Sequence, residues 1–207
     1  MHGQKTASGA PPSCWALGNE GPVSTPANPG SYPLLSWDAD PARKPWSTQL
    51  IDSIRANKSA LDAGHPEAIL PAYPRLSEPE QIRFWAELVI SMACAESNWD
   101  AAAVTPEPRL DEASIGLLQL SPGDATRYGL EPIAANGDAL KDPLLNLRWA
   151  VAILSFQVAR DGVVAQGAGS KPRRDARGAA RYWRVLWDEP GHADRVFARV
   201  RGVMGTR

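Results

Sequence analysis

One carboxylate stands apart from the other acids of the chain. In the stretch Met92-Ala93-Cys94-Ala95-Glu96-Ser97-Asn98-Trp99-Asp100, Glu96 closes a run of apolar helix formers. Upstream, Ser77, Glu78, Pro79 and Glu80 supply a cap, a first-turn proline and a capping-box acid, so a helix starts there. From that start Ile82, Trp85, Val89, Met92 and Glu96 recur at steps of three and four, which puts all five on one face. An acid at the end of such a stripe meets two penalties. The macrodipole opposes a carboxylate at a helix C-terminus by about 0.3–1 kcal/mol. Burial withdraws the charge from water and raises a carboxyl pKa. Both hold Glu96 protonated near neutral pH, the state that a general acid needs.

The elements that must position Glu96 read as helices throughout. Ser47 is expected to cap a helix to about Leu61, with Leu50, Ile51, Ile54 and Leu61 as its apolar stripe. Residues 101 to 113 read as irregular. Ser121-Pro122-Gly123-Asp124 opens a short helix that ends at Gly129. Asp142-Pro143 opens a longer one through Leu147, Val151, Leu154 and Val158, stopping before Gly162. Two more helices are expected around Ala179 to Trp187 and His192 to Val203. No alternating strand and no internal repeat is visible, so the fold class is mainly α. Residues 1–46, rich in Pro, Gly, Ser and Ala, read as an irregular extension. Its tryptophans Trp15, Trp37 and Trp46 argue that it packs on the domain, 47–207, because disordered segments are poor in aromatics.

Composition narrows the function. A chain of 207 residues holds one domain of about 150 residues with an extension. With 43% hydrophobic and 22% charged residues and a net charge of −1, it lacks the basic excess that tracks nucleic acid. No window reaches 18 consecutive apolar residues, so no membrane span is expected, and the first residues lack the layout of a signal peptide. Cys14 and Cys94 could form one disulfide in an oxidising compartment, tying the extension to the core, or remain two thiols. Their spacing excludes a zinc ribbon, and His2, His65 and His192 are scattered, so neither metal nor cofactor is expected.

"ESNW" followed by "SIGLLQLSPGDATRYG" resembles the soluble lytic transglycosylases, a lysozyme-like superfamily related to goose-type lysozyme. There a Glu-Ser at a helix end precedes a Gly-Leu-Met-Gln turn and a capped short helix. In this chain the turn is Gly116-Leu117-Leu118-Gln119, and "DPLLNLRWAVAILSFQ" resembles the helix that follows. The resemblance covers about residues 80 to 187. Three departures stand out. The gap between Glu96 and Gln119 is longer by about five residues, lying in "TPEPRLDEA"; Ser114 stands where a small residue usually precedes the turn; and "ARYWR" at 180–184 keeps Tyr182 but lacks the family's asparagine and glycine.

The resemblance implies a lysozyme-like helical domain acting on peptidoglycan glycan strands as a monomer, in the periplasm or secreted after loss of a leader. Glu96 would protonate the oxygen between N-acetylmuramic acid and N-acetylglucosamine. As a carboxylate it would then take the proton of the muramyl 6-hydroxyl as that oxygen attacks the anomeric carbon, leaving a 1,6-anhydro end. Gln119 would hydrogen-bond substrate or orient Glu96, Ser97 and Ser114 would support the site, and Tyr182 would position the glutamate or a sugar. Trp99 and Trp183 are candidates for stacking on sugar faces. The 101–113 loop adds Glu107, Asp111 and Glu112; were Asp111 or Glu112 to face Glu96, water would be activated and the enzyme would be a hydrolytic muramidase. A binding module without catalysis is the third reading.

Overall fold

The computed structural model describes residues 13–15, 34–107, 112–167, 175–188 and 191–205. It is mainly helical. Helix α1 spans Lys44–Asp62, α2 Glu78–Ser97, α3 Asp124–Tyr128, α4 Pro143–Asp161 and α5 Ala193–Val203. Two short hairpins join them: β1 (Val104–Glu107) pairs with β2 (Glu112–Ile115), and β3 (Ala165–Gln166) with β4 (Arg177–Gly178). No helix among the described residues is long and apolar enough to cross a membrane.

Helix α2 is the hub. Every residue from Phe84 to Cys94 is buried, so the five-residue stripe of the sequence is only part of an apolar surface that runs right round. Its start is the expected capping box: the Ser77 N–H and hydroxyl both donate to Glu80 Oε2, at 2.8 and 2.7 Å. Helices α1 and α5 pack against it, and α1 packs along α4. Helix α4 begins where Asp142 accepts the Leu144 N–H at 3.0 Å and ends at the left-handed Gly162, as the cap and stop signals predict.

Three expectations are corrected. Helix α1 starts three residues before Ser47, led in by a 3-10 turn over Pro41–Arg43 with Pro45 in its first turn. The Ser47 hydroxyl is a buried link instead, donating to Asp38 Oδ1 at 2.5 Å and accepting from Trp37 Nε1 at 2.8 Å. The segment Ala179 to Trp187 forms two 3-10 turns, Ala179–Arg181 and Arg184–Leu186, rather than a helix. Residues 101 to 113 are not all irregular, since they carry β1 and the start of β2. Most of the extension read at 1–46, and Asp111, lie outside the described residues; what is described of that extension, residues 13–15 and 34–46, includes buried Cys14, Leu35 and Trp37.

Candidate active site

Glu96 sits in the last turn of α2, partly buried, and the backbone around it is held unusually firmly. Asn98 and Trp99 both take left-handed φ values, 53° and 63°, a conformation that costs a residue with a Cβ. Two bonds close the helix end: the Asn98 N–H donates to Cys94 O at 3.0 Å and the Trp99 indole N–H to Ile90 O at 2.9 Å. The Ser97 hydroxyl reaches both Ala93 O at 3.1 Å and Leu117 O at 3.0 Å, tying the helix end to the turn that follows β2. No hydrogen bond to the Glu96 carboxyl itself is made among the described residues. Its pKa is pushed up from 4.5 to about 7, first by burial and second by the nearby Glu107 carboxylate.

Glu107, whose charge acts on Glu96, stands on the β1–β2 hairpin. The antiparallel register pairs Thr105 with Ser114 and Glu107 with Glu112, so these four side chains share one face and Val104, Pro106, Ala113 and Ile115 share the other. Ser114 Oγ lies 3.5 Å from Glu107 Oε1, at the outer limit of a hydrogen bond. Glu107 also lines a cleft of about 360 Å³ with Glu112, Ile115, Pro122 and Asn136. Glu96 is not among the residues that line this cleft. Glu112, one of the two acids that would make the enzyme a hydrolase by facing Glu96, accepts a hydrogen bond from the Ser121 hydroxyl.

The turn 116–119 is built to a tight tolerance. Ile115 and Leu120 exchange both backbone hydrogen bonds, at 2.8 and 3.0 Å, and close a loop whose Gly116 has φ 76°. A Cβ on Gly116 would come within 2.4 Å of both Asn146 Nδ2 and Leu140 O, so glycine is required twice over. Asn146, fully buried on α4, accepts the Leu118 N–H and donates to Ile115 O and Leu140 O, all within 2.9–3.0 Å. Gln119 has φ 50° and turns its amide nitrogen back onto Gly116 O at 2.9 Å and Ala103 O at 3.4 Å. It braces the turn, with only its carbonyl oxygen left over for a ligand.

The remaining expected residues are placed differently. Trp99 is 4% exposed, edge-on to Trp37 at 6.2 Å and flanked by the Arg43 and Arg199 guanidinium groups. A ring enclosed in this way offers no face to a sugar, so the stacking role expected of it is corrected to core packing. Trp183, 2% exposed with its indole N–H on Leu118 O at 3.0 Å, is corrected likewise. Tyr182 donates its hydroxyl to Asp124 and not to Glu96; burial, followed by the Asp124 charge, pushes its pKa well above the ordinary tyrosine range. Asp124 is fully buried and also accepts the Ser121 N–H at 2.9 Å, so Tyr182 fastens the start of α3.

Residues 77–168 match the family model of the transglycosylase SLT domain. This segment is an SLT domain. It begins at the capping-box Ser77 and contains Glu96, the β1–β2 hairpin, the 116–119 turn and Asn146; Tyr182 lies beyond it. At the level of the family, an SLT domain carries a transglycosylase-type function acting on peptidoglycan. Among solved structures, wild-type DslA is 27% identical, with 84% of this chain and 98% of that one covered at a TM-score of 0.69. Two glutamate-to-glutamine mutants of DslA give 27% identity each. One covers 84% of this chain and 97% of its own at a TM-score of 0.70; for the other the values are 87%, 100% and 0.68. The glutamates exchanged in those two mutants are eleven residues apart, as Glu96 and Glu107 are in this SLT domain. Among curated proteins none matches.

Sequence reasoning passed over Glu107 as the carboxylate that acts on Glu96, and it missed Asn146 altogether. The signal for Glu107 was alternation: Thr105 and Glu107, then Glu112 and Ser114, are polar at every second position. For Asn146 the signal was a lone amide among leucines in "PLLNLRW", where an unpaired polar group could not be buried without cost.

Proposed function

We propose that this chain cleaves the β-1,4 bond between N-acetylmuramic acid and N-acetylglucosamine in peptidoglycan, with Glu96 as general acid and Glu107 as the second carboxylate of a hydrolase. The observation that carries the reading is the placement of Glu107, which stands on β1, lines the cleft, and is the charged group that acts on Glu96. Glu96 delivers its proton to the glycosidic oxygen as that bond breaks. Glu107 takes a proton from the water that adds to the anomeric carbon, or stabilises the cation formed there. The eleven-residue spacing shared with the substituted glutamates of DslA supports the same pair. Gln119, Ser97 and Ser114 act in this reading through the positions of the turn, the helix end and Glu107.

A second reading, transglycosylation by Glu96 alone with the muramyl 6-hydroxyl as nucleophile, is favoured by the family match. Mass spectrometry of digested peptidoglycan separates the two, since water leaves reducing ends and the 6-hydroxyl leaves 1,6-anhydro ends. Glu96→Gln is expected to abolish cleavage under either reading. Glu107→Gln lowers the rate by about 10²-fold or more if Glu107 activates water. Anhydro ends released at full rate by that variant would move the assignment to transglycosylation, and absence of any product from the unaltered protein would leave only a binding role. The substrate and the Cys14–Cys94 disulfide together support a place outside the cytoplasm, in the periplasm or secreted. Cell fractionation tests that placement, and sedimentation tests the proposed monomer.

A further inference from the structure

Behind Glu96 the N-terminal segment is built into the end of α2. Cys14 is disulfide-bonded to Cys94, two residues before Glu96, with the Cα atoms 5.7 Å apart. Two residues along a helix is a rotation of about 200°, so the bond lies on the side away from the Glu96 side chain. Cys14 then meets the left-handed residue that terminates the helix: its N–H donates to Asn98 Oδ1 at 2.9 Å. Its carbonyl accepts from Arg199 Nη1 of α5 at 2.8 Å, and the Arg195 guanidinium lies 3.9 Å from the centre of the Trp15 ring. Trp15 and Ala95, the residue before Glu96, also share a small cavity with Val185, Arg195 and Val196.

We propose that residues 13–15 form a rear brace that positions the Glu96 carboxyl, and that the Cys14–Cys94 bond makes cleavage depend on an oxidising environment. The inference rests on the reading of Glu96 as the acid and goes beyond it. Glu96 has no hydrogen bond of its own among the described residues, so the backbone of residues 94–99 sets its position. Asn98 takes the left-handed conformation that ends the helix, which Asn tolerates better than other residues with a Cβ. The Cys14 N–H is the group that holds its side chain. The disulfide keeps that donor at high local concentration; without it, the segment must be ordered by its few non-covalent contacts against chain entropy. Reduction takes two electrons and two protons from a dithiol, breaks the S–S bond into two thiols and leaves the reductant as a disulfide. Asn98 and Cys14 are thus positioning residues.

The test uses the full chain with purified peptidoglycan and compares kcat with KM. Treatment with dithiothreitol, or replacement of both cysteines by serine, is expected to lower kcat about tenfold or more with KM within about twofold, because displaced catalytic groups slow the chemical step. With the disulfide intact, Asn98→Gly keeps the left-handed backbone but deletes the acceptor, and kcat falls severalfold; Asn98→Asp restores the acceptor and holds kcat within about twofold. Unchanged kcat in the folded reduced protein overturns the redox dependence, and unchanged kcat in Asn98→Gly overturns the brace. If reduction unfolds the chain, the redox dependence stands and Asn98→Gly decides the brace. Retained cleavage by Glu96→Gln would instead refute the assignment of the acid.

Discussion

At the scale of the residue, Glu96 is a group kept against its own preference. A carboxyl held at about 7 instead of 4.5 binds its proton more tightly in the folded chain than in the unfolded one. Between those two pH values the folded state carries the extra proton, so stability falls as pH rises from about 4.5 to about 7 and then stays lower. By the conversion of 1.36 kcal/mol per pH unit this is about 3 kcal/mol. Glu96→Gln removes the penalty. The variant is expected to be more stable than the unaltered protein by that amount at pH 8 and equal to it at pH 4, as read from urea midpoints at both values. The same proton sets the rate: with Glu96 as the acid, cleavage falls about tenfold per unit as pH rises above about 7. A variant that loses activity while gaining stability as pH rises from about 4.5 to about 7 is the signature of a strained catalytic acid. A structural carboxylate would lose stability on the same change.

At the scale of the element, three pieces meet around the acid: the end of α2, the β1–β2 hairpin and the 116–119 turn. The turn is the stiffest of the three. Gly116→Ala would push a Cβ against both Asn146 Nδ2 and Leu140 O in a backbone with positive φ. Its expected cost is about 2–4 kcal/mol, from overpacking together with left-handed strain; Asn146→Ala, which leaves the Leu118 N–H and two carbonyls without their partner, costs about the same. Thermal melts of both variants check this, and cleavage is expected to fall with them because Ser97 ties the turn to the helix that bears Glu96. Much of this was legible in the sequence. The capping box at Ser77, the stripe to Glu96 and the Asp142 cap are local signals, and local signals survive folding; the Gly116 turn was legible through the family resemblance. The hairpin was not legible, because strands of four residues interrupted by Pro106 give too short an alternation, and proline argues against a strand. Trp99 and Trp183 misled for the opposite reason. An aromatic near a catalytic motif looks the same in sequence whether it faces a cleft or, as here, lies in the core.

At the scale of the whole molecule, the chain is closed on itself around α2. Glu87, fully buried in the middle of that helix, accepts the Ser36 N–H and hydroxyl at 2.8 and 2.7 Å, so residues 34–37 are held from one side. The Cys14–Cys94 bond holds residues 13–15 from the other, across a sequence separation of 80. A cross-link of that span acts mainly on the unfolded chain, which loses the freedom of a long loop. The chain-entropy relation gives about 4.5 kcal/mol for it, and measured disulfides typically deliver 2–4. Replacing both cysteines by serine is therefore expected to lower the unfolding free energy by about 2–4 kcal/mol, whatever the pH. Urea titrations at pH 5 and pH 8 read it as the same displacement of the midpoint at both values. A loss confined to one pH would mean that the bond acts through a titrating neighbour, Glu96 first among them. A loss well under 1 kcal/mol would mean that the hydrogen bonds Cys14 donates to Asn98 and accepts from Arg199 hold the segment without the covalent link.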